Sequence, residues 1–238
     1  MSLFARKRKP QEPTCTMVVV AAGSSQRMGQ DKMFLELEGQ PVLAHTLLAM
    51  ERSPRVDQVV VVTREDLVGP VANLCREMGL HKVKTVVRGG ATRVESARLG
   101  TMEVPQDAKL IGIHDGARPF ISQQVMERVV DQAAQTGAAA PAIPVQDTVK
   151  VAYNGVVDHT PDRATLFAVQ TPQVFDADLI RGALAKALLD NAPLTDDCSA
   201  VERLGMPVTL VEGDRNNIKL TTPADLAVAR VILEGWNQ

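Results

Sequence analysis

Five short apolar runs, rich in valine and isoleucine, recur along this chain with helix-patterned segments between them. They are Met17 to Val20, Gln58 to Thr63 (QVVVVT), Val83 to Val87, Lys109 to His114 (KLIGIH) and Ala138 to Val145 (AAAPAIPV). Runs with no polar alternation suit strands covered on both faces, as parallel sheets are. Between them, "PVLAHTLLAMER" sets Val42, Leu43, Thr46, Leu47 and Met50 on one helical stripe behind Pro41. "LVGPVANLCREMGL" and "ATRVESARLG" predict a second and a third helix. "SQQVMERVVDQAAQTG" predicts a fourth, with Ser122 as N-cap and Gly137 just past its end. Strand and helix alternate, so the fold class is α/β: an open, mostly parallel sheet with helices on both faces. At 238 residues one core suffices, so residues 15–238 are expected to form a single domain behind a disordered basic tail, residues 1–14.

Two segments depart from the alternation. "TVKVAYNGVVDHT" carries Asn154-Gly155 between two alternating strands, a strong hairpin signal, and predicts an arm over about residues 148–162. An inserted hairpin exposes edges, which makes pairing with a second subunit the expected use. Near the end, "MPVTLVEG" predicts a strand and "DRNNIKL" a loop. "TTPADLAVARVIL" predicts a final helix opened by Thr222, Pro223 and Asp225.

Composition narrows the function. The net charge is −2 and aromatics make up 3%, so neither a general basic surface nor stacking platforms point to nucleic acid. No apolar run is long enough to span a bilayer, and "MSLFARKRKPQEPT" lacks the apolar stretch of a signal peptide. Cys15, Cys75 and Cys198 have no metal or disulfide spacing and are expected as buried apolar residues. No membrane contact and a cytoplasmic, reducing location are the expectations. His45, His81, His114 and His159 are scattered and are expected to be structural or at the surface.

The stretch "VVVAAGSSQRMGQDK" ends a strand in small residues, with Arg27 and Lys32 following. It is not a Walker A loop, because five residues separate Gly23 from Gly29 and Gln30 follows. It is not the dinucleotide fingerprint either, because Ser25 stands where the second glycine belongs. What remains is a strand end where a nucleotide can approach the backbone, with Arg27 as a fork and Lys32 as a point charge for phosphate oxygens.

"AAGSSQRMGQDKMFLELEGQPVLAHTL" resembles the opening of nucleotidyltransferases that activate sugars and polyols. "GGATRVESARLG", "HDGARPFIS", "PVQDTVK", "TPDRATLFAVQTPQVF", "LTDDCSAVE" and "VEGDRNNIKLTTPADL" follow in order. Together they resemble the 2-C-methyl-D-erythritol 4-phosphate cytidylyltransferase family over almost everything from Met17 to Leu233. The resemblance implies a Rossmann-like nucleotidyltransferase sheet and transfer of CMP from CTP to the polyol phosphate, with pyrophosphate released. It implies magnesium, no organic cofactor, and a homodimer joined through the hairpin arm.

By the same resemblance, Ala22, Gly23, Ser24, Ser25, Gly90 and Ser96 bind the nucleotide. Arg27, Lys32, Arg163 and Lys219 are the catalytic cations, with Arg163 reaching the other subunit's site. Asp115, Arg118, Thr148, Arg163, Thr171, Thr195 and Lys219 bind the second substrate, and Asp115 holds the metal. Ala91 stands where many relatives carry a polar residue, which leaves the backbone to read the base edge. Asp196 and Asp197 also suit the acidic first turn of a helix. Three alternatives remain: a cytidylyltransferase for another polyol phosphate such as ribitol 5-phosphate, a nicotinamide dehydrogenase, and a nucleotide-binding module without catalysis. Absence of GxGxxG disfavours the dehydrogenase. Lys32, Asp115, Arg163 and Lys219 disfavour the inert module.

Overall fold

The computed structural model describes residues 12–23 and 33–236. The expected tail up to residue 11, and Ser24, Ser25, Arg27 and Lys32, lie outside the described residues. The elements, in chain order, begin with β1 (Cys15–Val20), the two-residue strands β2 (Glu36–Leu37) and β3 (Gln40–Pro41), α1 (Val42–Arg52), β4 (Val56–Thr63), α2 (Val68–Glu77) and β5 (Val83–Arg88). Next come α3 (Arg93–Met102), β6 (Leu110–Asp115), α4 (Gln123–Thr136), β7 (Ala138–Pro144), β8 (Val151–Tyr153) and β9 (Val156–His159). The chain closes with β10 (Phe167–Val169), β11 (Gln173–Asp176), α5 (Ala177–Leu189), α6 (Asp197–Glu202), β12 (Thr209–Glu212) and α7 (Pro223–Trp236).

The main sheet has eight strands in the order β10-β7-β11-β6-β1-β4-β5, with β12 also paired to β7. β1 is parallel to both β4 and β6, β4 to β5, and β12 to β7. The antiparallel members are β10 and β11. A mostly parallel sheet with helices on both faces is therefore observed, as the alternation of patterns predicts.

Strand β1 shows why both faces are apolar. Met17 and Val19 face one core with Leu43, Leu47 and Met50 of α1 and Val125, Val129 and Val130 of α4. Val18 faces the other with Ala97 of α3 and Ile180, Ala183 and Leu184 of α5. Each fully buried Val, Leu or Met contributes about 1.5–3 kcal/mol, so alternate residues of one strand stabilise opposite layers. Helix α4 is bounded as its sequence predicts: Ser122 accepts a bond from Val125 N–H, and Gly137 takes the left-handed conformation at φ 82°. The arm forms as a separate two-stranded sheet, β8 with β9, and its turn places Asn154 at φ 51° and Gly155 at φ 79°.

β10, β11 and α5 are not among the elements expected from the sequence. β10 and β11 hold only FAV and QVFD, too short to show a period, and they run antiparallel to the strands beside them. Helix α5 did carry a period, since Ala177, Ile180, Leu184 and Ala187 form its buried stripe. All three cysteines are buried, as expected, and burial pushes the Cys75 thiol up to about 11.

Helix α3 lies close on the sheet because residue 100 is glycine. A Cβ there would meet Val18 Cγ1 of β1 and come within 2.6 Å of Val62 Cγ2 of β4. Gly100→Ala is therefore expected to destabilise the protein by about 1–3 kcal/mol despite alanine's better helix propensity, read as a lower urea midpoint.

Candidate active site

The carboxyl ends of four parallel strands meet at one level. Val20 of β1 is in register with Asp115 of β6 and Val62 of β4, and Thr63 with Arg88 of β5. Backbone bonds extend this alignment past the strands, from Ala21 N–H to Val62 O, Gly89 N–H to Thr63 O and Gly116 N–H to Val20 O. A cavity of about 310 Å³ opens there, lined by Ala22, Gly23, Gly90, Ser96, Asp115 and Lys219 together with Arg93 and Ala117. Open α/β sheets bind ligands at this end. A larger cavity, about 510 Å³, opens around Thr16, Asp57 and Lys109 at the opposite end of the strands.

The turn after β5 is compact. A Cβ on Gly89 would lie 2.6 Å from Ala22 Cβ and 2.7 Å from Ser96 Oγ, so the turn can sit against the end of β1 only with glycine there. Ser96 is 2% exposed; its hydroxyl accepts from Gly90 N–H at 3.1 Å and donates to Thr92 O at 2.9 Å. Its hydroxyl braces the loop between β5 and α3 from beneath.

Asp115 ends β6 at 7% exposure, and three cations converge on it. Arg93 Nε is 3.3 Å from Oδ1, while Lys219 Nζ and Arg118 Nε lie 2.8 and 3.6 Å from Oδ2. Burial by itself would raise this carboxyl's pKa, but Arg93, Lys219 and Arg118 together hold it well below the usual carboxylate range. Arg93 also reaches Asp197 Oδ2 at 2.7 Å. Asp197 is fully buried, which pushes its pKa up against the pull of Arg93. The pattern reading singled out neither Arg93 nor the buried pairing of Asp197. Its helix-start alternative for Asp196 and Asp197 is what forms: Asp196 caps α6 by accepting from Ser199 N–H, and Asp197 is the first helical residue. The signal for Arg93 was its place just after the double glycine, on a helix whose start faces the strand ends.

Lys219 reaches this corner through buried amides. Gln170 donates to Asp214 O at 2.7 Å and accepts from Asp214 N–H at 3.2 Å. Asn217, fully buried, donates to Thr171 O, and its own carbonyl accepts from Arg118 Nη1 at 2.6 Å. Leu220 N–H then bonds Ala117 O, which sets the "NIKL" segment beside the end of β6. Thr171 is 4% exposed, and its hydroxyl is engaged inside the protein. His114 Nε2 lies 3.1 Å from Arg118 O, an acceptor only, so Nε2 carries the proton and Nδ1 accepts from the Thr171 hydroxyl. Thr171 Oγ1 in turn accepts from Asp115 N–H. Burial pushes the His114 pKa down to about 4, so the imidazole is a neutral structural link. Gln173 accepts from the N–H groups of both Asp197 and Cys198 and donates to Asp196.

The remaining candidates lie elsewhere. Thr195 is exposed just before the α6 cap, and Thr148 is exposed ahead of β8. Arg163 is exposed in a short turn after the arm, donating to Gln146 O at 2.8 Å. None of the three is among the described residues lining the cavity.

Strand ends that gather small residues, one carboxylate and convergent cations define a nucleotide-handling α/β enzyme, and the relatives make the class specific. The chain matches the family model for 2-C-methyl-D-erythritol 4-phosphate cytidylyltransferase over residues 15–235. It is 40% identical over 227 residues to the protein of that name from Syntrophus aciditrophicus, covering 94% of this chain and 97% of the relative. It is 44% identical over 221 residues to the one from Clostridium novyi, covering 91% and 95%. A solved 4-diphosphocytidyl-2C-methyl-D-erythritol synthase from Anaerococcus prevotii superposes with a TM-score of 0.85 at 30% identity, covering 94% of this chain and 97% of that one. The Thermus thermophilus cytidylyltransferase superposes with a TM-score of 0.77 at 31% identity, covering 93% and 99%. The chain belongs to the 2-C-methyl-D-erythritol 4-phosphate cytidylyltransferase family.

Arg93→Ala would leave Asp197 buried without its counter-charge. The expected cost is about 3–5 kcal/mol, read from urea unfolding, whereas Asp197→Asn, which removes the charge and keeps the shape, costs less.

Proposed function

We propose that the cluster around Asp115 carries out the reaction of this family. The chain transfers CMP from CTP to 2-C-methyl-D-erythritol 4-phosphate and releases pyrophosphate. The observation that carries the reading is the convergence of Arg93, Arg118 and Lys219 on one buried carboxylate beside a glycine-walled cavity.

The polyol's phosphate attacks the α-phosphorus in line with the departing pyrophosphate. A phosphate monoester has a second pKa of about 6, so it is largely dianionic at neutral pH and needs no general base. This agrees with a site whose nearest histidine, His114, is buried, neutral and fully bonded. The work left to the protein is positioning and charge stabilisation. Ala22, Gly23, Ser24, Ser25, Gly90 and Ser96 admit the nucleotide, and Arg27 and Lys32 neutralise its triphosphate. Lys219, beside Asp115, orients the attacking phosphate. Arg118 helps to hold it, while Thr148 and Thr195 supply hydroxyls toward the polyol phosphate; the Thr171 hydroxyl, bonded to Asp115 N–H and His114, holds the end of β6 instead.

Magnesium fits this donor set in one way. Among the described residues no group of three or more metal-binding side chains stands together. Asp115 is a lone carboxylate, and a single protein carboxylate with substrate phosphates is how magnesium is commonly held. Bound there, the ion would neutralise charge on the phosphates. Arg93 keeps the Asp115 carboxylate ionised and oriented for that role.

The arm supports a homodimer. Tyr153, Val156 and Val157 are 67%, 72% and 54% exposed on it, and Phe167 of β10 is 45% exposed nearby in sequence. Apolar side chains so exposed on a two-stranded hairpin suit burial against a second copy. Arg163, at the end of the arm, then grips the second substrate in the partner's site. Among the described residues no helix is long and apolar enough to cross a membrane. The buried, unpaired thiols fit a reducing cytoplasm.

A panel of nucleotides against polyol phosphates tests the reaction. CTP with methylerythritol phosphate should release pyrophosphate fastest, and faster turnover with ribitol 5-phosphate would overturn the choice of substrate. Lys219→Ala should lower kcat by about 10²–10³, the usual cost of losing one group that stabilises transition-state charge. Mixing Lys32→Ala with Arg163→Ala protomers should restore up to about a quarter of wild-type activity, since half the dimers are mixed and one site in each is intact. Verified mixed dimers without rescue would refute action across the interface.

A further inference from the structure

Among the backbone acceptors of the loop between β5 and α3, the Gly90 carbonyl has its direction fixed by a single side chain. Glu95 lies in the first turn of α3, and its N–H is capped by Thr92 Oγ1 at 3.1 Å. Its carboxylate folds back to accept from Ala91 N–H at 2.7 Å. It also packs flat on Gly90: a Cβ at residue 90 would come within 2.6 Å of Glu95 Oε2 and would overlap Glu95 Cβ. Glycine at 90 and glutamate at 95 are thus matched to each other.

Three of the loop's polar groups are spoken for. Gly90 N–H goes to Ser96 Oγ, Ala91 N–H to Glu95, and Thr92 O accepts from Ser96 Oγ. The Gly90 carbonyl has no hydrogen-bond partner among the described residues. In a planar trans peptide the C=O of residue 90 points opposite to the N–H of residue 91. The N–H points at Glu95, which lines an outer groove with Arg88, Arg98 and Leu99. Glu95 lines that groove and not the active-site cavity, whereas Gly90 and Ala91 line both, so their peptide stands as a wall between the two. The free carbonyl is therefore aimed away from Glu95, on the side of the cavity.

We propose that Glu95 is a specificity-determining positioning residue: by pinning the Gly90–Ala91 peptide it presents the Gly90 carbonyl to the exocyclic amine of the base, and so selects CTP over UTP. The inference rests on the cytidylyl-transfer reading above. Cytosine carries an amino donor where uracil carries a carbonyl acceptor. A backbone carbonyl can only accept, so it pairs with the amine and opposes the uracil oxygen. A hydroxyl in its place could serve either base. Ala91 contributes no polar side chain, so the peptide's orientation has to be held from outside the cavity. Without Glu95, a peptide that follows two glycines has little to stop it rotating and offering N–H to uracil instead.

The test is kcat/KM for CTP and for UTP with methylerythritol phosphate, in wild type, Glu95→Ala and Glu95→Gln, with thermal melting of each. Glu95→Ala should cut the CTP/UTP ratio by about tenfold or more, chiefly through a higher KM for CTP, a loss expected when a buried acceptor faces the wrong base edge. Glu95→Gln should keep the ratio, because its amide oxygen accepts the same N–H. If Glu95→Ala keeps the wild-type ratio, or loses activity with both nucleotides equally as it loses thermal stability, Glu95 is merely structural and the inference fails. Failure of the functional reading shows differently: wild type itself would then turn over UTP as well as CTP, or neither.

Discussion

The carboxylate of Asp115 is shared by cations from three distant parts of the chain, and the geometry of the site follows from that sharing. Arg93 arrives from α3, Arg118 from the loop after β6, and Lys219 from the segment before α7. Each would be repelled by the others if brought together alone. Asp115 offsets that repulsion at the centre, and Asp197 offsets it at the far side of Arg93. The two buried acids cost desolvation on their own, which is why both must be paired. The result is a corner where cations are already fixed and oriented before an anionic substrate arrives. That arrangement favours a transition state with growing negative charge, because little reorganisation is left to do.

The segment "VQTPQ" fixes the parts of this corner relative to one another. Gln170 holds the Asp214–Asn217 turn that leads to Lys219. Thr171 ties the backbone of Asp115 to His114, and Gln173 holds the start of α6, where Asp197 waits for Arg93. Within four residues, three polar side chains reach three different loops, and all three are at most 5% exposed. A buried amide is costly unless satisfied, so each of these side chains specifies one partner arrangement and disfavours others.

Much of this was legible in the sequence, and for identifiable reasons. The strands of the parallel sheet announce themselves as uninterrupted apolar runs, since both faces are covered. Ser122, Gly137 and the Asn154-Gly155 turn announce themselves because only certain residues suit those backbone conformations. Asp115 and Lys219 could be placed in the site from their motifs, and the structure brings them within 2.8 Å. What local pattern could not supply is pairing across the chain. Nothing near Arg93 in sequence signals Asp197, 104 positions away. Likewise Thr171 reads as a hydroxyl for substrate, while the fold spends that hydroxyl on Asp115 N–H and His114. β10 and β11 were hidden for a related reason: β11 is a strand because it pairs between β6 and β7, and β10 because it pairs with the edge of β7.

The described strand end after β1, and the cations gathered beside it, can be set against the common phosphate loops. A Walker loop wraps phosphate in backbone N–H groups ahead of one helix and adds a single lysine. Here the strand after Val20 runs into Ala21 and Ala22, packed against Gly89 and Gly116. The charge described at this corner is carried by side chains, and side chains on separate loops need something to hold them. Buried Asp115 and Asp197 meet that need, and the amides of "VQTPQ" and "NNIKL" serve them in turn. A net charge of −2 over the whole chain is no obstacle, because the positive field is built at one corner and anchored from within the fold.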